Sequence, residues 1–338
     1  MANIREIAKL SGVSKATVSR ILNHDKTFSV SDSTRKRVFR ISSQLNYTLS
    51  NTSNKDSVEK LHVAIVNCLS PEQELRDPYF SMIKNGIDEQ AEIWGMKIAL
   101  EIRLPNTGHD WSELATCGAV IVIGTLMESV LDKIYQHNQN IIIINDPRHF
   151  EKYDIIRNDF GYQTQQVLDL MKAKGHKRIA FIGGKTNLID ESSVSQILLM
   201  DNREKAYLEW MKLNNFSEFT DPHITKGWTT EEALSVTQDI LAEEKQPTAI
   251  LTASDPQAIG IYRAVQKAGY QIPDDIAIVS FDDINMVSYL YPALTTVRPA
   301  AQEMGREAIN LVRERVVDSR KVALQVTVNS ILIKRESL

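Results

Sequence analysis

The stretch "IREIAKLSGVSKATVSRILN", from Ile4 to Asn23, carries the clearest structural pattern in this 338-residue chain. Apolar residues recur at helical spacing on both sides of Gly12, which can adopt the positive φ needed for a tight turn after a helix. Ser14 is a favourable N-cap for the second helix, and a third helix is predicted after Ser31. The predicted inner faces contain Ile4, Ile7, Ala8, Leu10, Val18, Ile21, Leu22, Val38, Ile41 and Leu45. Three short helices with this turn predict a helix-turn-helix unit.

The second helix of this unit presents polar and basic side chains outward. A DNA major groove admits one helix, and the N-terminal residues of that helix reach the base edges. Arg20 can donate two hydrogen bonds to a guanine, Ala16 suits a thymine methyl, and Lys15 can serve a base or a phosphate. Short polar side chains, typical of phosphate contacts that set register, occur at Ser14, Thr17, Ser19 and Asn23. The alternative is a helical interaction module with a solvated basic face.

Charge is distributed unevenly along the chain. Residues 1–50 contain nine Lys or Arg and three acidic residues, a net charge of +6, whereas the whole chain has a net charge of −4. A basic segment ahead of an acidic remainder favours a polyanionic partner for that segment alone. Charge and helix pattern together therefore indicate double-stranded DNA as that partner.

From residue 61 the pattern changes to short apolar strands that alternate with helices. Runs such as "LHVAIVN" (61–67), "NIIIIN" (140–145) and "KRIAFIGG" (177–184) are near-continuously apolar, which is typical of parallel strands covered on both faces. Helices are predicted at 80–94, 127–137, 160–174, 203–214, 232–244, 256–268 and 300–317. The predicted fold is an N-terminal all-α helix-turn-helix head followed by an α/β body of two doubly wound parallel-sheet lobes.

The domain boundaries follow from these changes of pattern. We expect a head at residues 1–48, a linker at 49–60 and the two-lobed body at 61–338. Within the body we expect lobe 1 at about 61–158 and 291–319, and lobe 2 at about 159–290 and 320–338.

Polar residues follow several of the predicted strands. In doubly wound sheets, ligands bind beyond the carboxyl ends of the strands. The candidates are Asn145, Ser254, Asp255 and Asp282 at strand ends, Arg203 at a helix start and Trp228 after a strand. Carboxylate, amide and guanidinium groups beside an aromatic plane suit a neutral polyhydroxylated ligand, whose hydroxyls both donate and accept. Each polar group could instead cap a helix, and for Asp255, directly before Pro256, both interpretations remain open.

The quoted head motif resembles the DNA-binding head of the lactose/galactose repressor (LacI/GalR) family of bacterial transcription factors. The resemblance extends through nearly the whole chain and implies a periplasmic-binding-protein-like body. It implies that Arg203 and Asp282 clamp ligand hydroxyls and that Trp228 covers the sugar, with Asn145, Ser254 and Asp255 in supporting positions. The stretch "DPYF" (77–80) matches the loop that closes the cleft, which adds Tyr79 and Phe80.

The resemblance also implies a function. We expect a sequence-specific DNA-binding regulator, a repressor of a sugar-utilisation operon that is released from its operator by a sugar. The stretches "DPYF", "RIAFIGG", "ASDPQAIGIYRAV" and "LTTVR" are similar to regulators of β-galactosidase systems within that family, so galactose or a β-galactoside is the expected effector. Two alternatives remain: a stand-alone sugar-binding protein, and a family member activated by a purine or sugar corepressor.

The polar segment "YTLSNTSNKDSVEK" (47–60) corresponds to the hinge of the resembling family. There the hinge folds on operator DNA and presses a leucine into the minor groove. Here Leu49 and Ser50 replace the usual Pro-Asn pair, and Asp56 stands at the wedge position. We therefore expect a weakly ordered hinge without minor-groove insertion.

Other function classes lack their motifs. No G-x-S-x-G, H-E-x-x-H, paired C-x-x-C or phosphate-loop motif occurs, so we expect no enzyme, cofactor or metal site. Cys68 and Cys117 lie in or beside apolar runs and read as buried thiols. The N-terminus lacks a signal-peptide core and no run spans a bilayer, so we expect a cytoplasmic protein without a membrane partner. No leucine heptad follows "ILIKRESL", so a homodimer is expected.

Overall fold

A computed structural model describes residues 4–22, 28, 30–45, 61–76 and 78–338. The chain divides into two compact units, residues 1–57 and 58–338. The predictions for the linker, including those at Leu49, Ser50 and Asp56, lie outside the described residues, as do Asn23 and Asp77.

The described part of the first unit is a helix-turn-helix. Its helices are α1 (Ile4–Ser11), α2 (Lys15–Leu22) and α3 (Asp32–Gln44). Gly12 has φ 65°, as the turn requires. The side-chain oxygen of Ser14 accepts a hydrogen bond from the backbone N–H of Thr17 at 3.1 Å, which caps α2. The predicted start of α2 is therefore confirmed.

The core of this unit matches the predicted inner faces except at Leu10. Ile7, Val18 and Ile21 are fully buried, whereas Leu10 is 57% exposed, so its predicted inward position is wrong. Ser11 takes the buried place and donates its hydroxyl to the carbonyl of Ile7 at 2.5 Å. A small side chain that satisfies its own hydroxyl fits the tight contact at the end of the first helix.

The second unit is built from two six-stranded sheets. Its strands are β1 (His62–Asn67), β2 (Lys97–Arg103), β3 (Ala119–Ile123), β4 (Ile141–Ile144), β5 (Asp154–Asn158), β6 (Ile179–Gly184), β7 (Thr186–Ile189), β8 (Val194–Leu199), β9 (Asp221–Thr225), β10 (Ala249–Thr252), β11 (Ala277–Phe281), β12 (Thr295–Arg298), β13 (Gln325–Val328) and β14 (Ile331–Ile333). Its helices are α4 (Pro71–Arg76), α5 (Pro78–Trp94), α6 (Glu128–His137), α7 (Phe160–Ala173), α8 (Asn202–Leu213), α9 (Thr230–Leu241), α10 (Asp255–Lys267) and α11 (Ala301–Val316). The strand orders are β13-β5-β4-β3-β1-β2 and β14-β12-β11-β10-β6-β9, and β7 pairs separately with β8.

Alternation along the central strands explains why each sheet is covered on both faces. In β1, Val63 and Ile65 join one core cluster of lobe 1, while Ala64 and Val66 join the cluster on the opposite face. Successive strand side chains point to opposite faces of the sheet. An unbroken apolar run therefore contributes buried side chains to the hydrophobic cores on both faces. The two-lobed, doubly wound architecture predicted from these runs is confirmed.

The end of the chain differs from the predicted lobe boundaries. The sequence predicts 291–319 in lobe 1 and 320–338 in lobe 2, but β12 pairs with β11 in the second sheet and β13 pairs with β5 in the first. A buried ion cluster explains the position of β13: Arg320 binds Asp154 at 2.7 Å, and Asp154 also accepts the backbone N–H of Leu324 at 2.7 Å. These contacts fix the chain beside β5 before it crosses back to lobe 2.

The chain therefore crosses between the lobes three times. The crossings follow β5, β12 and β13. β13 and β14 are edge strands of their sheets, and β5 and β12 lie directly beside them. In the described parts of the chain, no helix combines the length and apolar character that a membrane span needs.

Candidate functional site

The outward face of α2 presents the residues predicted to contact DNA. Lys15, Ala16 and Arg20 are exposed, and Ser19 is partly exposed. Ser14 and Thr17 bind each other through their hydroxyls at 2.9 Å, so they shape the start of the helix while remaining at its surface. One helix end thus carries an apolar methyl, two cations and several hydroxyls, which is the set of groups that a base edge and its phosphates require.

Arg20 is held by an aromatic neighbour. Its guanidinium carbon lies 5.3 Å from the ring centroid of Phe28, in the connection between α2 and α3. A guanidinium that lies over an aromatic ring loses some rotational freedom, but its N–H groups remain able to donate hydrogen bonds. This contact directs Arg20 along the outer face of the helix.

In the second unit, Arg203 forms the centre of a buried polar cluster. Its guanidinium donates to both carboxylate oxygens of Asp201, at 2.7 and 2.8 Å, and to the carbonyl of Ala253. Burial opposes the charged form, but the charges of Asp201 and Asp282 raise the pKa of Arg203 above its ordinary value. Burial likewise works against the Asp201 carboxylate, but the paired guanidinium holds the pKa of Asp201 below its usual range. The pair therefore stays ionised, rigid and oriented.

Three aromatic rings surround the Arg203 guanidinium. Its central carbon lies 4.8 Å from the Phe160 centroid, 5.1 Å from Trp228 and 5.5 Å from Phe281. Trp228 can approach this closely because Gly184 has no side chain: a Cβ there would lie 2.7 Å from a carbon of the indole ring. The result is a buried planar cation among aromatic rings, of which Trp228 is partly exposed.

Residues from lobe 1 reach the same place. The Tyr79 hydroxyl donates to Asn145 at 3.3 Å and accepts from Asn158 at 3.2 Å. The Tyr79 ring lies 6.4 Å from Phe160 of lobe 2, and the phenol also acts electrostatically on Arg203. Predicted residues from both lobes therefore meet across one cleft.

Asp282 lies on a strained loop at the end of β11. Asp282 has φ 108° and Asp283 has φ 51°, a costly conformation for non-glycine residues. Neighbouring ion pairs hold it: Asp283 binds Arg298 and Arg335, each at 2.6 Å. The Asp282 carboxylate accepts the backbone N–H of Asp255 at 3.4 Å, and its charge helps to raise the pKa of Arg203.

Three other predicted effector residues point elsewhere. The Asp255 carboxylate is fully buried and accepts from the Ile284 N–H and the Thr296 hydroxyl, both at 2.9 Å. Ser254 is buried and bonds to Gln257 at 3.3 Å. Phe80 packs against the lobe 1 core and forms an edge contact with Tyr79, with centroids 5.0 Å apart. These side chains thus have partners within the protein itself.

Sequence reasoning missed part of this site. Asn158, Phe160 and Asp201 contact the predicted residues but were not among the candidates. Asn158 ends β5 in "DIIRND", so the rule that selected Asn145 could have selected it too. Asp201 precedes Arg203 by two residues and accepts its backbone N–H at 2.8 Å, which a capping pattern could have indicated. Among the described residues, no group of three or more His, Cys, Asp or Glu is placed to hold a metal ion.

Comparisons with known proteins identify the family of this chain. Residues 3–50 match the family model for bacterial regulatory proteins of the lacI family, and residues 168–338 match the periplasmic binding protein-like domain. The HTH-type transcriptional repressor MelR of Bacillus subtilis (strain 168) is 34% identical over 346 residues, covering 100% of this chain and 97% of that protein. The chain belongs to the lacI family of bacterial regulatory proteins. It is a DNA-binding transcriptional regulator, and its relatives in this family are not enzymes.

Solved structures show the same fold. The lac repressor dimer bound to operator and an anti-inducer aligns with a TM-score of 0.69 at 21% identity, covering 99% of this chain and 98% of that one. The complex of the transcriptional regulator CelR with cellobiose aligns with a TM-score of 0.68 at 20% identity, covering 100% of both chains. At 20–21% identity, these two structures show only that this chain shares their fold.

Proposed function

We propose that this lacI-family regulator is a repressor that binds operator DNA as a homodimer in the cytoplasm and is released by galactose or a β-galactoside. The observation that carries the effector assignment is the Arg203–Asp201 pair, enclosed by three aromatic rings and facing Asp282 and Tyr79. Neutral hydroxyls can bind the donors and acceptors of such a pair without adding charge to a buried site.

A sugar in this cleft would act on both lobes. Arg203, Trp228 and Asp282 belong to lobe 2, whereas Tyr79 and Asn145 belong to lobe 1. A ligand that contacts both lobes favours one lobe arrangement over others, which is the differential affinity that allostery requires. The CelR complex and the lac repressor dimer on its operator support a sugar ligand and a dimer for this fold.

The DNA contacts in the proposal are those of α2. Ala16 and Arg20 would contact base edges, and Lys15 would contact a base or a phosphate. Ser14, Thr17, Ser19 and Asn23 would contact phosphates and set the register. Two copies related by a two-fold axis would bind a pseudo-palindrome, since one small head buries too little surface for tight specific binding.

A ligand panel tests the effector. Operator fragments selected from genomic DNA with the purified protein are titrated with galactose, lactose, allolactose, glucose, maltose and a purine base, and Trp fluorescence is followed in parallel. We expect a galactoside to release the operator and to change the fluorescence, with the Trp228→Phe variant losing the signal that Trp228 contributes. Release by glucose or maltose instead would contradict the galactoside, and tighter operator binding with any ligand would contradict induction.

The variant Arg203→Ala separates the site from the fold. It removes the guanidinium at the centre of the cleft, so we expect sugar-dependent release to be lost, with an effector affinity at least about 100-fold weaker, while operator binding persists. Retained operator binding is the control for folding. An unchanged sugar response in this variant would exclude the cleft around Arg203 as the effector site.

A further inference from the structure

The hairpin formed by β7 and β8 leaves lobe 2 and packs on lobe 1. We call residues 186–199 the strap. The Ile189 side chain packs against the lobe 1 core, its N–H donates to the Thr125 carbonyl at 2.9 Å, and its carbonyl accepts the Met127 N–H at 2.9 Å. The Thr125 hydroxyl also donates to the Asn187 carbonyl at 3.0 Å. These bonds join the strap to the loop that follows β3.

Glu191, in the turn of the strap, makes polar contacts with lobe 1. Its carboxylate accepts from the Trp111 indole N–H at 2.9 Å and pairs with Lys133. Its backbone carbonyl accepts the Asn106 N–H at 2.9 Å. The Lys133 ammonium and the Trp111 indole together hold the pKa of Glu191 below its ordinary value. One side chain thus collects donors from two separate segments of lobe 1.

The strap lies on the side of the cleft away from the three crossings. It begins after the carboxyl end of β6, which β11 and β10 separate from the crossing strand β12. It contacts residues just after the carboxyl end of β3 in lobe 1. The strap therefore reaches from the carboxyl ends of the lobe 2 strands to those of the lobe 1 strands. The lobes are therefore joined by covalent chain on one side and by non-covalent bonds of the strap on the other.

The residues that flank the strap on each side contact proposed effector residues. The indole N–H of Trp228 donates to the carbonyl of Lys185, directly before the strap, at 3.1 Å. After the strap, Asp201 lies two residues beyond Leu199 and pairs with Arg203. A ligand that orders Trp228 and Arg203 would therefore order the two residues from which the strap extends.

We propose that the strap is an interlobe clasp, held by Glu191, whose engagement with lobe 1 is coupled to effector binding in the cleft. The clasp itself follows from the contacts described above, whereas the coupling rests on the proposed function. The clasp lies at a distance from the three crossings, about which the lobes would move. Breaking the clasp would therefore allow the lobes to separate more often. A sugar that bridges the lobes would then bind more weakly.

Hydrogen exchange on the full-length protein without sugar tests the clasp. Glu191→Gln removes the charge and keeps the shape, and Lys133→Met removes the partner charge. We expect each variant to increase exchange of the Ile189, Met127 and Asn106 amides about tenfold, because local opening becomes easier. Glu101→Gln is the matched control, since Glu101 pairs with Lys84 at 2.8 Å within lobe 1 and should leave these amides unchanged.

Wild-type exchange at these amides in both Glu191→Gln and Lys133→Met would overturn the clasp. The coupling is tested with the sugar that releases the operator: it should slow exchange of the Ile189 amide in the wild type, and Glu191→Gln should bind it severalfold more weakly. Unaltered sugar affinity in Glu191→Gln would overturn the coupling. If no sugar in the panel binds, the proposed function and the coupling fail together, while the exchange measured without sugar still decides the clasp.

Discussion

At the residue scale, one carboxyl group near the cleft is buried for a structural reason. Asp255 begins α10, yet its side chain faces the loop of Asp282 and Asp283 rather than its own helix end. Burial and the nearby Asp283 charge raise the pKa of Asp255 from 3.8 to about 7, although bonds from Ile284 and Thr296 favour its charged form. The group carries a proton in the folded protein at a pH where the unfolded chain has lost it.

This proton predicts a pH-dependent stability. Between pH 3.8 and about 7 the folded state holds a proton that unfolding releases, so rising pH favours unfolding by roughly 1.4 kcal/mol for each unit across that window. Asp255→Asn removes this titration, and the Thr296 hydroxyl can rotate to accept from the new amide. We expect the stability difference between variant and wild type to shift in favour of the variant from pH 5 to pH 8, measured by urea unfolding.

Titrating groups remote from Asp255 behave alike in both proteins and cancel in that difference, whereas Asp283, whose charge acts on Asp255, contributes to it. A stability difference that stays constant between pH 5 and pH 8 would contradict the raised pKa of Asp255. Above about pH 7 the penalty is complete, so the difference should level off there.

At the element scale, close helix contacts depend on glycine. Gly86 of α5 and Gly305 of α11 face each other's helices: a Cβ on Gly305 would lie 2.0 Å from the Ile83 carbonyl oxygen, and one on Gly86 would lie 2.0 Å from that of Gln302. Two backbones this close leave no space for a methyl group. α11 also follows a crossing between the lobes, so its packing on lobe 1 fixes where that crossing ends.

Gly305→Ala should therefore destabilise the protein. The added methyl forces the two helices apart, and we expect a loss of about 1–3 kcal/mol in the free energy of unfolding, read from the urea midpoint. Gly161→Ala is the control, because its Cβ would meet only ordinary contacts beginning at 3.5 Å and alanine favours a helix. Equal midpoints for the two variants would show that the α5–α11 contact can relax at little cost.

Elements with strong periodicity could be predicted from sequence, and elements defined by tertiary contact could not. The predicted helix at 300–317 is α11, Ala301–Val316, because its apolar residues recur over four turns. The strap has strands of four and six residues, and its contacts with lobe 1 become visible only in the folded chain. The same holds for β12, β13 and β14, whose sheet membership depends on the crossings. At the site, Arg203 and Asp282 followed from strand and helix ends, whereas Phe160 contributes a ring that no local pattern indicates.

At the scale of the whole molecule, the two proposed ligands call for opposite electrostatics. Residues 1–50 carry a net charge of +6 in a chain of net charge −4, whereas the sugar proposed for the cleft around Arg203 is neutral. DNA binding releases condensed counterions when cations replace them at phosphates, and binding of a neutral sugar releases none. The two binding reactions should therefore respond differently to salt.

Raising NaCl from about 50 to 200 mM should weaken operator binding by about 10³-fold if the dimer makes six or more phosphate contacts, while the sugar affinity changes by less than about twofold. Fluorescence anisotropy of labelled operator and Trp fluorescence of the same protein measure the two affinities. Lys15→Ala should reduce the slope of log affinity against log salt if Lys15 contacts a phosphate. Arg20→Ala should instead lower discrimination between operator and random DNA if Arg20 contacts a guanine. A flat salt response of operator binding would contradict the basic head as the DNA-binding surface, and a steep response of sugar binding would contradict a neutral effector.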